Sequence, residues 1–325
     1  MKPASRSLTV LFSLLSALAC SAALAQAFPS KPLRIVVPFV PGGGVDMLAR
    51  LVSPRMGELL GQPMLVDNRG GAGGNIGADV VAKAPPDGYT ILLNSNGHAL
   101  SPAIYRKLPF DTEKDFAAIS QLVATTLVLV SNPKLPAATV KELITLARSK
   151  QGGLNYGSTG VGNPLHLTME LLKLSAGIEM VSVPYKGDAP LNTALMSGEI
   201  DVAFTPLSST LQFIAGGRLR ALAVAGAKRS TALPDVPTVA EGALPGFESS
   251  SWQGLFAPAK TPRDIVAAIQ RAALRALEAP EMRDRIQSMA QEVVASTPDE
   301  FEAKVKSDIA KFTRIVKEAR IPLQD

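Results

Sequence analysis

With 325 residues, 46% of them hydrophobic, one cysteine and a formal charge of +5, the chain can fill one or two α/β cores but cannot lean on disulfide bonds. The mild basic excess contains no Lys/Arg block, and aromatic residues make up only 5%, which sets nucleic-acid binding aside.

Lys2 and Arg6 precede an apolar stretch, Leu8 to Ala19, that is too short to span a bilayer. Ala23-Leu24-Ala25 or Ala25-Gln26-Ala27 then offers a small-residue cleavage site. Residues 1–27 therefore read as a secretory signal peptide, which sends the mature chain, starting near Gln26 or Phe28, to the periplasm. Ala17-Leu18-Ala19-Cys20 loosely resembles a lipobox, so lipidation of Cys20 is the alternative. Removing the leader takes away the cysteine and leaves 31 basic against 28 acidic residues, a net charge of +3. Two histidines without a cysteine argue against a zinc site.

Leu33-Arg-Ile-Val-Val-Pro-Phe-Val40 is a β-branched run that leads through Pro41-Gly42-Gly43-Gly44 into a helical pattern. Val45, Leu48, Leu51, Val52, Met56, Leu59 and Leu60 share one face of that helix. Pro54 predicts a break near Val52 or Ser53, since an interior proline costs about 3 kcal/mol. Met64-Leu-Val66, Tyr89-Thr-Ile-Leu-Leu93 and Leu127-Val-Leu-Val130 read as short buried strands alternating with helices, one of them from Asn75 to Lys83. This is the pattern of a mostly parallel sheet.

The order strand, glycine loop, helix returns at Leu154-Asn-Tyr-Gly-Ser-Thr-Gly-Val-Gly-Asn-Pro164. Asn163 is placed to start a helix with Pro164 in its first turn, and Leu165, Met169 and Leu172 carry its apolar stripe. Helix-end amides, the macrodipole and the hydroxyls of Ser158 and Thr159 make this loop a donor-lined pocket for a carboxylate or phosphate. Strands follow at Met180–Val183, Ile200–Phe204 and Leu219–Val224. The proline-broken stretch from Leu233 to Ser251 reads as the chain returning to its first half. Thr261-Pro-Arg-Asp264 and Thr297-Pro-Asp-Glu300 mark helix starts with threonine at the N-cap, so their acids have structural work.

None of the loops carries a catalytic set. Gly71-Ala-Gly73-Gly74-Asn-Ile-Gly77 misses the dinucleotide register at Ile76, and no nucleotide P-loop occurs. Gly157-Ser158-Thr159-Gly160 is not a nucleophile elbow, and His166 falls about two turns into the next helix. His98 reads as a loop residue bonded to backbone, and His166 as a helix residue packed under the glycine loop. Asp46 has two readings: it caps its own helix, or it faces the ligand and recognises an ammonium group.

Seven motifs in order, covering the mature chain, carry a resemblance. They are Pro38-Phe-Val-Pro-Gly-Gly-Gly44 with Asp46 and Arg50, Val66-Asp-Asn-Arg-Gly-Gly-Ala-Gly-Gly74, Ala84-Pro-Pro-Asp-Gly-Tyr-Thr90, Leu154 to Gly162 with His166-Leu167, Val183-Pro-Tyr-Lys-Gly187, Val236-Pro-Thr238 with Glu241, and Trp252-Gln-Gly254 with Pro258-Ala-Lys-Thr-Pro262. Together they resemble the Bug-type receptors of tripartite tricarboxylate transport systems. The resemblance implies a type II periplasmic binding-protein fold, two α/β lobes joined by crossing hinge strands with a ligand cleft between them. Residues 28–127 and 252–325 would form lobe 1, and 128–251 lobe 2.

The same resemblance implies a monomeric, non-enzymatic receptor without cofactor or metal. It would bind a dicarboxylate, tricarboxylate, acidic amino acid or aromatic acid and deliver it to a membrane permease. The contacts it implies are Phe39, Pro41, Gly42, Gly43 and Asp46 on lobe 1 and Ser158, Thr159, Gly160, Gly162 and Asn163 on lobe 2, with Asn96, Tyr185, Lys186, Gly187 and Thr205 as further candidates. Pro54, Asn163 and Asn94-Ser-Asn96 depart from the family's usual pattern. Two other functions stay open: a ligand-sensing partner of a membrane signalling protein, and a secreted serine hydrolase acting through Ser158 or Thr159.

Overall fold

Strand β1 (Leu33–Val37) is apolar on both faces, so it must be covered on both sides. In the computed structural model, which describes residues 28–150 and 153–325, Leu33, Ile35 and Val37 pack under one layer of helices and Val36 under another. The signal peptide and Cys20 lie outside the described residues. Strands β2 (Met64–Asn68) and β3 (Thr90–Ser95) flank β1 in parallel. Helix α1 (Gly44–Leu60) and the pair of a short 3-10 turn (Ala72–Gly74) with α2 (Asn75–Ala82) make the crossovers. Helix α3 (Gly97–Ile104) follows β3.

Three strands complete this sheet, of which β10 and β11 run against the parallel direction and β4 along it. β4 (Phe116–Thr125) and β10 (Ser251–Pro258) pair antiparallel with each other, β10 pairs antiparallel with β3, and β11 (Gln291–Val293) closes the far edge, giving the order β11-β4-β10-β3-β1-β2. The second sheet, ordered β7-β6-β8-β5-β9, is built from β5 (Leu127–Ser131), β6 (Asn155–Ser158), β7 (Val181–Pro184), β8 (Val202–Pro206) and β9 (Arg220–Val224). β5 runs antiparallel to both β8 and β9. The sheets are therefore mixed rather than mostly parallel, because the strands that carry the chain between them enter each sheet against its βαβ direction.

Helices α4 (Val140–Lys150), α5 (Pro164–Ala176), α6 (Asp188–Ser197), α7 (Leu207–Ala215) and α8 (Val239–Gly242) belong to the second lobe. The last three, α9 (Arg263–Glu278), α10 (Pro280–Ser288) and α11 (Pro298–Glu318), return to the first. One continuous apolar core runs from Val36 and Leu92 through Phe301, Phe312 and Ile315 of α11 to Tyr156, Leu167 and Phe204 of the second lobe. The lobes thus share packed surface along α11 as well as the strands that cross between them. No helix of the described residues is long and apolar enough to cross a membrane.

Two local expectations fail for identifiable reasons. Helix α1 continues through Pro54. The Arg50 carbonyl that loses its partner belongs to a solvent-exposed residue, while Leu48, Val52 and Met56 anchor the helix on both sides of the proline. At Thr261 there is no side-chain cap; Pro262 takes the N-cap position and the buried Thr261 hydroxyl makes no hydrogen bond. Thr297 does cap α11, in a full capping box with Glu300, and Thr238 with Glu241 forms a second one at α8.

Candidate functional site

The first glycine loop is fastened from behind. Gly42, at φ 89°, donates its N–H to Asp46 Oδ2 at 2.8 Å. Arg50 Nε donates to both Asp46 oxygens at 3.1 and 3.0 Å, and Asn68 Nδ2 donates to Asp46 Oδ1 at 2.9 Å and to the Phe39 carbonyl at 3.1 Å. Burial alone would raise the Asp46 pKa, but the bonds from Arg50, Gly42 and Asn68 outweigh it and hold the carboxyl below its ordinary value. Asp46 is only 2% exposed. Its charge is engaged within the loop, which favours the structural of its two readings; it binds the residue before the N-cap Gly43 rather than capping as such.

The second motif supports the first. Gly77 lies so close beneath the loop that a Cβ there would stand 2.7 Å from Pro38 Cβ and 2.8 Å from the Arg69 carbonyl. Within the motif itself, a Cβ on Gly70 would stand 3.3 Å from the Phe39 carbonyl carbon and one on Gly74 3.5 Å from Pro38 Cβ, so Gly70, Gly74 and the following Gly77 together seat the Pro38–Phe39 corner.

The second glycine loop follows β6 and opens α5. Asn163 is its N-cap: Oδ1 accepts the His166 N–H at 2.9 Å while Nδ2 donates to the Thr159 hydroxyl. The Gly162 N–H donates to His166 Nδ1 at 3.3 Å, so the ring packs under the loop as expected; His166 stands in the first turn of α5 rather than two turns in, because the helix begins only at Pro164. That bond requires an unprotonated Nδ1, and burial pushes the His166 pKa down, with the charge of Glu170 opposing. Below His166, Tyr156 donates to Glu170, which Lys173 also pairs at 2.9 Å.

The two loops meet at one cavity of about 280 Å³, lined on the first lobe by Phe39, Gly73, Ser95, Gly97 and Tyr105 and on the second by Val161 to Pro164. The start of α3 contributes a third helix N-terminus to the same carboxyl-end edge of the sheet, where ligands of open α/β sheets bind. At the rim, Gln324 Nε2 reaches from the chain's end to the Val161 carbonyl at 3.4 Å.

The proposed contacts divide around this cavity. Phe39, Gly162 and Asn163 line it, and Pro41, Gly42 and Gly43 are exposed on the loop beside Phe39. Thr159 and Gly160 are half-buried in the second loop. Ser158 and Thr205 are fully buried, their hydroxyls turned to the Gly160 carbonyl at 3.4 Å and the Thr210 hydroxyl at 3.1 Å. Tyr185 donates to Glu199 Oε1 at 2.8 Å; Lys186 is exposed and Gly187 N-caps α6.

Asn96 belongs to the crossing. Its N–H donates to the Trp252 carbonyl at 3.1 Å, its Nδ2 to the Ser250 carbonyl at 3.4 Å, and its Oδ1 accepts from Ser251 Oγ at 3.1 Å. Gly73, Ser95, Gly97 and Tyr105 were missed. The signal available for them was the turn from β3 into a helix at the sheet edge that β1 also feeds.

His98 departs from its reading as a loop residue bonded to backbone. It lies in α3, with neither ring nitrogen hydrogen-bonded, among Phe110, Phe116 and Phe256 at ring distances of 6.0, 4.6 and 4.8 Å. Burial drives its pKa down to about 3. A neutral imidazole packed as an aromatic is the result, without a proton to exchange near the cavity.

Comparison with known proteins follows the same outline. The family model described as "Tripartite tricarboxylate transporter family receptor" matches residues 48–321. A protein from the tcbD-tcbE intergenic region of Pseudomonas sp. strain P51 is 38% identical over 297 residues, covering 91% of this chain and 88% of its own. Among solved structures, R. palustris Rpa4515 with adipate aligns at TM-score 0.76 and 34% identity over 91% of this chain and 100% of its own. MatC from Rhodopseudomonas palustris with bound malate aligns at TM-score 0.73 and 31% identity over 89% and 100%.

Proposed function

The chain belongs to the tripartite tricarboxylate transporter receptor family, a family of extracytoplasmic solute-binding receptors rather than enzymes, and from that premise we propose that it captures a small organic carboxylate between its lobes and hands it to a membrane permease of the tripartite tricarboxylate type. The observation that carries the proposal is the shared cavity: the start of α3 and the loop before α5 present two helix N-termini to one gap, and Phe39 of the loop after β1 lines it from the first lobe. A carboxylate that touches both lobes stabilises the closed form by its differential contacts. Backbone amides and bridging water suffice for such a ligand, so an arginine clamp is not required.

The relatives bound to adipate and malate support a dicarboxylate as the ligand class. Residues 1–27 would direct export to the periplasm, where the receptor would act as a monomer. Titration calorimetry across mono-, di- and tricarboxylates and acidic amino acids tests the reading: at least one compound is expected to bind without turnover. Binding of a neutral sugar and of no carboxylate would overturn it. Docking of the closed form to a membrane sensor is the second use of the same receptor, distinguished by which membrane protein co-purifies with it. Hydrolysis through Ser158 has no support, since its hydroxyl is buried and His166 Nδ1 already accepts the Gly162 amide.

A further inference from the structure

We propose that Gln253, on the crossing strand β10, contacts the ligand and supplies the first lobe with a neutral side-chain donor for a carboxylate. This inference rests on the carboxylate reading of the cavity.

Gln253 is 6% exposed, and its carboxamide makes no hydrogen bond among the described residues, with Oε1 enclosed and unpartnered. Buried polar groups in native folds are nearly always bonded, so an idle carboxamide marks a place that something else completes: Nε2 takes an acceptor, and the enclosed Oε1 takes a donor such as a bridging water or a ligand hydroxyl. Its surroundings say what. Nε2 points toward the first residue of α1, 3.6 Å from where a Cβ on Gly44 would stand. Gln253 also lies directly across the β10–β3 pair from Ser95, so the two side chains leave the same face of the sheet, and Ser95 lines the interlobe cavity.

The group that fits between Nε2 and the opening turn of α1 is an acceptor. The helix N-terminus favours negative charge there, and the amides of that turn have no intrahelical partners. Asp46, the nearby charge that would attract an ammonium instead, is tied to Gly42, Arg50 and Asn68. A carboxylate oxygen of the ligand would take the Nε2 hydrogen and the free amides together. The first lobe would thus recognise a carboxylate without a cation, and the ammonium of an amino-acid ligand would have to lie elsewhere.

Calorimetric titration of wild type, Gln253→Leu, Gln253→Met and Gln253→Glu with malate, adipate and the wider carboxylate panel tests this, with thermal melts to confirm folding. Either apolar variant is expected to weaken dicarboxylate binding about tenfold, the loss of one hydrogen bond to a charged group. The introduced carboxylate is expected to weaken it a hundredfold or more at pH 7 and to recover part of the loss at pH 5, as it begins to protonate. A purely structural role would not produce that recovery. Wild-type affinity in both Gln253→Met and Gln253→Glu overturns this inference alone. Absence of carboxylate binding in wild type overturns the receptor reading, and this inference with it.

Discussion

Gly162 of the second lobe lies directly against Ile104 of the first: a Cβ on Gly162 would stand 2.2 Å from Ile104 Cδ1. Gly162 is also at φ 77°, where an L side chain is strained. Gly162→Ala is expected to hold the lobes apart at this point and weaken carboxylate affinity by tenfold or more. Its own backbone strain should lower stability by about 1–2 kcal/mol. Adding Ile104→Ala relieves the clash but not the strain, so the double variant should regain affinity without regaining stability. Calorimetry and denaturation on the same samples separate the two effects. If the double variant binds no better than the single one, the Gly162–Ile104 contact is not what closure depends on.

Asp46 makes a different prediction, because it organises a loop without lining the cavity. Asp46→Asn keeps the shape and loses the charge that Arg50, Gly42 and Asn68 bind; a destabilisation of about 1–3 kcal/mol follows, together with a several-fold loss of affinity from the loosened loop. The pH dependence has a definite sign. A carboxyl whose folded pKa lies below its ordinary 3.8 stabilises fully above that value and loses the contribution only as pH falls through the lower, folded one. The difference between wild type and Asp46→Asn should therefore be flat from pH 8 to pH 5 in urea titrations. A difference that shrinks across that range would show that Asp46 is not held as an ionised group.

His98 sets the behaviour in the window where Asp46 is silent. Its ordinary pKa is 6.5 and burial lowers it to about 3. Above pH 6.5 the ring is neutral in both folded and unfolded chains and contributes no pH dependence. Below it the unfolded chain binds a proton that the native site refuses, so stability falls by about 1.4 kcal/mol per pH unit until the folded pKa is reached. His98→Phe, which keeps a ring among Phe110, Phe116 and Phe256, should make that slope shallower between pH 6.5 and 5, leaving the part due to His166, whose pKa burial also lowers. Identical slopes in wild type and variant would mean that the ring finds a proton partner in solution.

What could be read in advance followed short-range chemistry. Gly-Asn-Pro at residues 162–164 announces a helix start from three local preferences, and α5 begins there. The two glycine loops announce donors in the same way. Long-range partnership was less legible. Gln121 to Thr125 and Trp252 to Phe256 lack a strict alternation because β4 and β10 are covered on both faces, so these strands could not be told from other apolar segments. Asn96 and Ser158 look like ligand donors in one dimension. Only the fold shows that the Trp252 carbonyl of β10 meets the Asn96 N–H, that Ser250 and Ser251 engage its side chain, and that Ser158 turns inward. The idle carboxamide of Gln253 lies inside Trp252-Gln-Gly254, but nothing local reveals an unmade bond.

The crossing strand is held by one buried acid. Asp308, 1% exposed on α11, accepts the Trp252 indole N–H at 2.8 Å and pairs with Lys304 at 3.1 Å and Lys311 at 3.3 Å. Lys311 in turn donates to the Glu248 carbonyl at 3.3 Å, just before the chain crosses back. Asp308→Ala strands an indole donor in the core, leaves the partly buried Lys311 ammonium with only the Glu248 carbonyl and leaves Lys304 with only the more distant Glu248 carboxylate at 3.7 Å, so a loss of about 3 kcal/mol is expected. Asp308→Asn should cost less, since its amide oxygen can still accept from Trp252. Because Trp252 is the only tryptophan, its emission reports the anchor directly: the alanine variant should shift to longer wavelength in native buffer and the asparagine variant should not. Equal stability and unchanged emission in Asp308→Ala would show that the packing of Trp252 against Phe301, at a ring distance of 5.0 Å, holds the crossing strand without the acid.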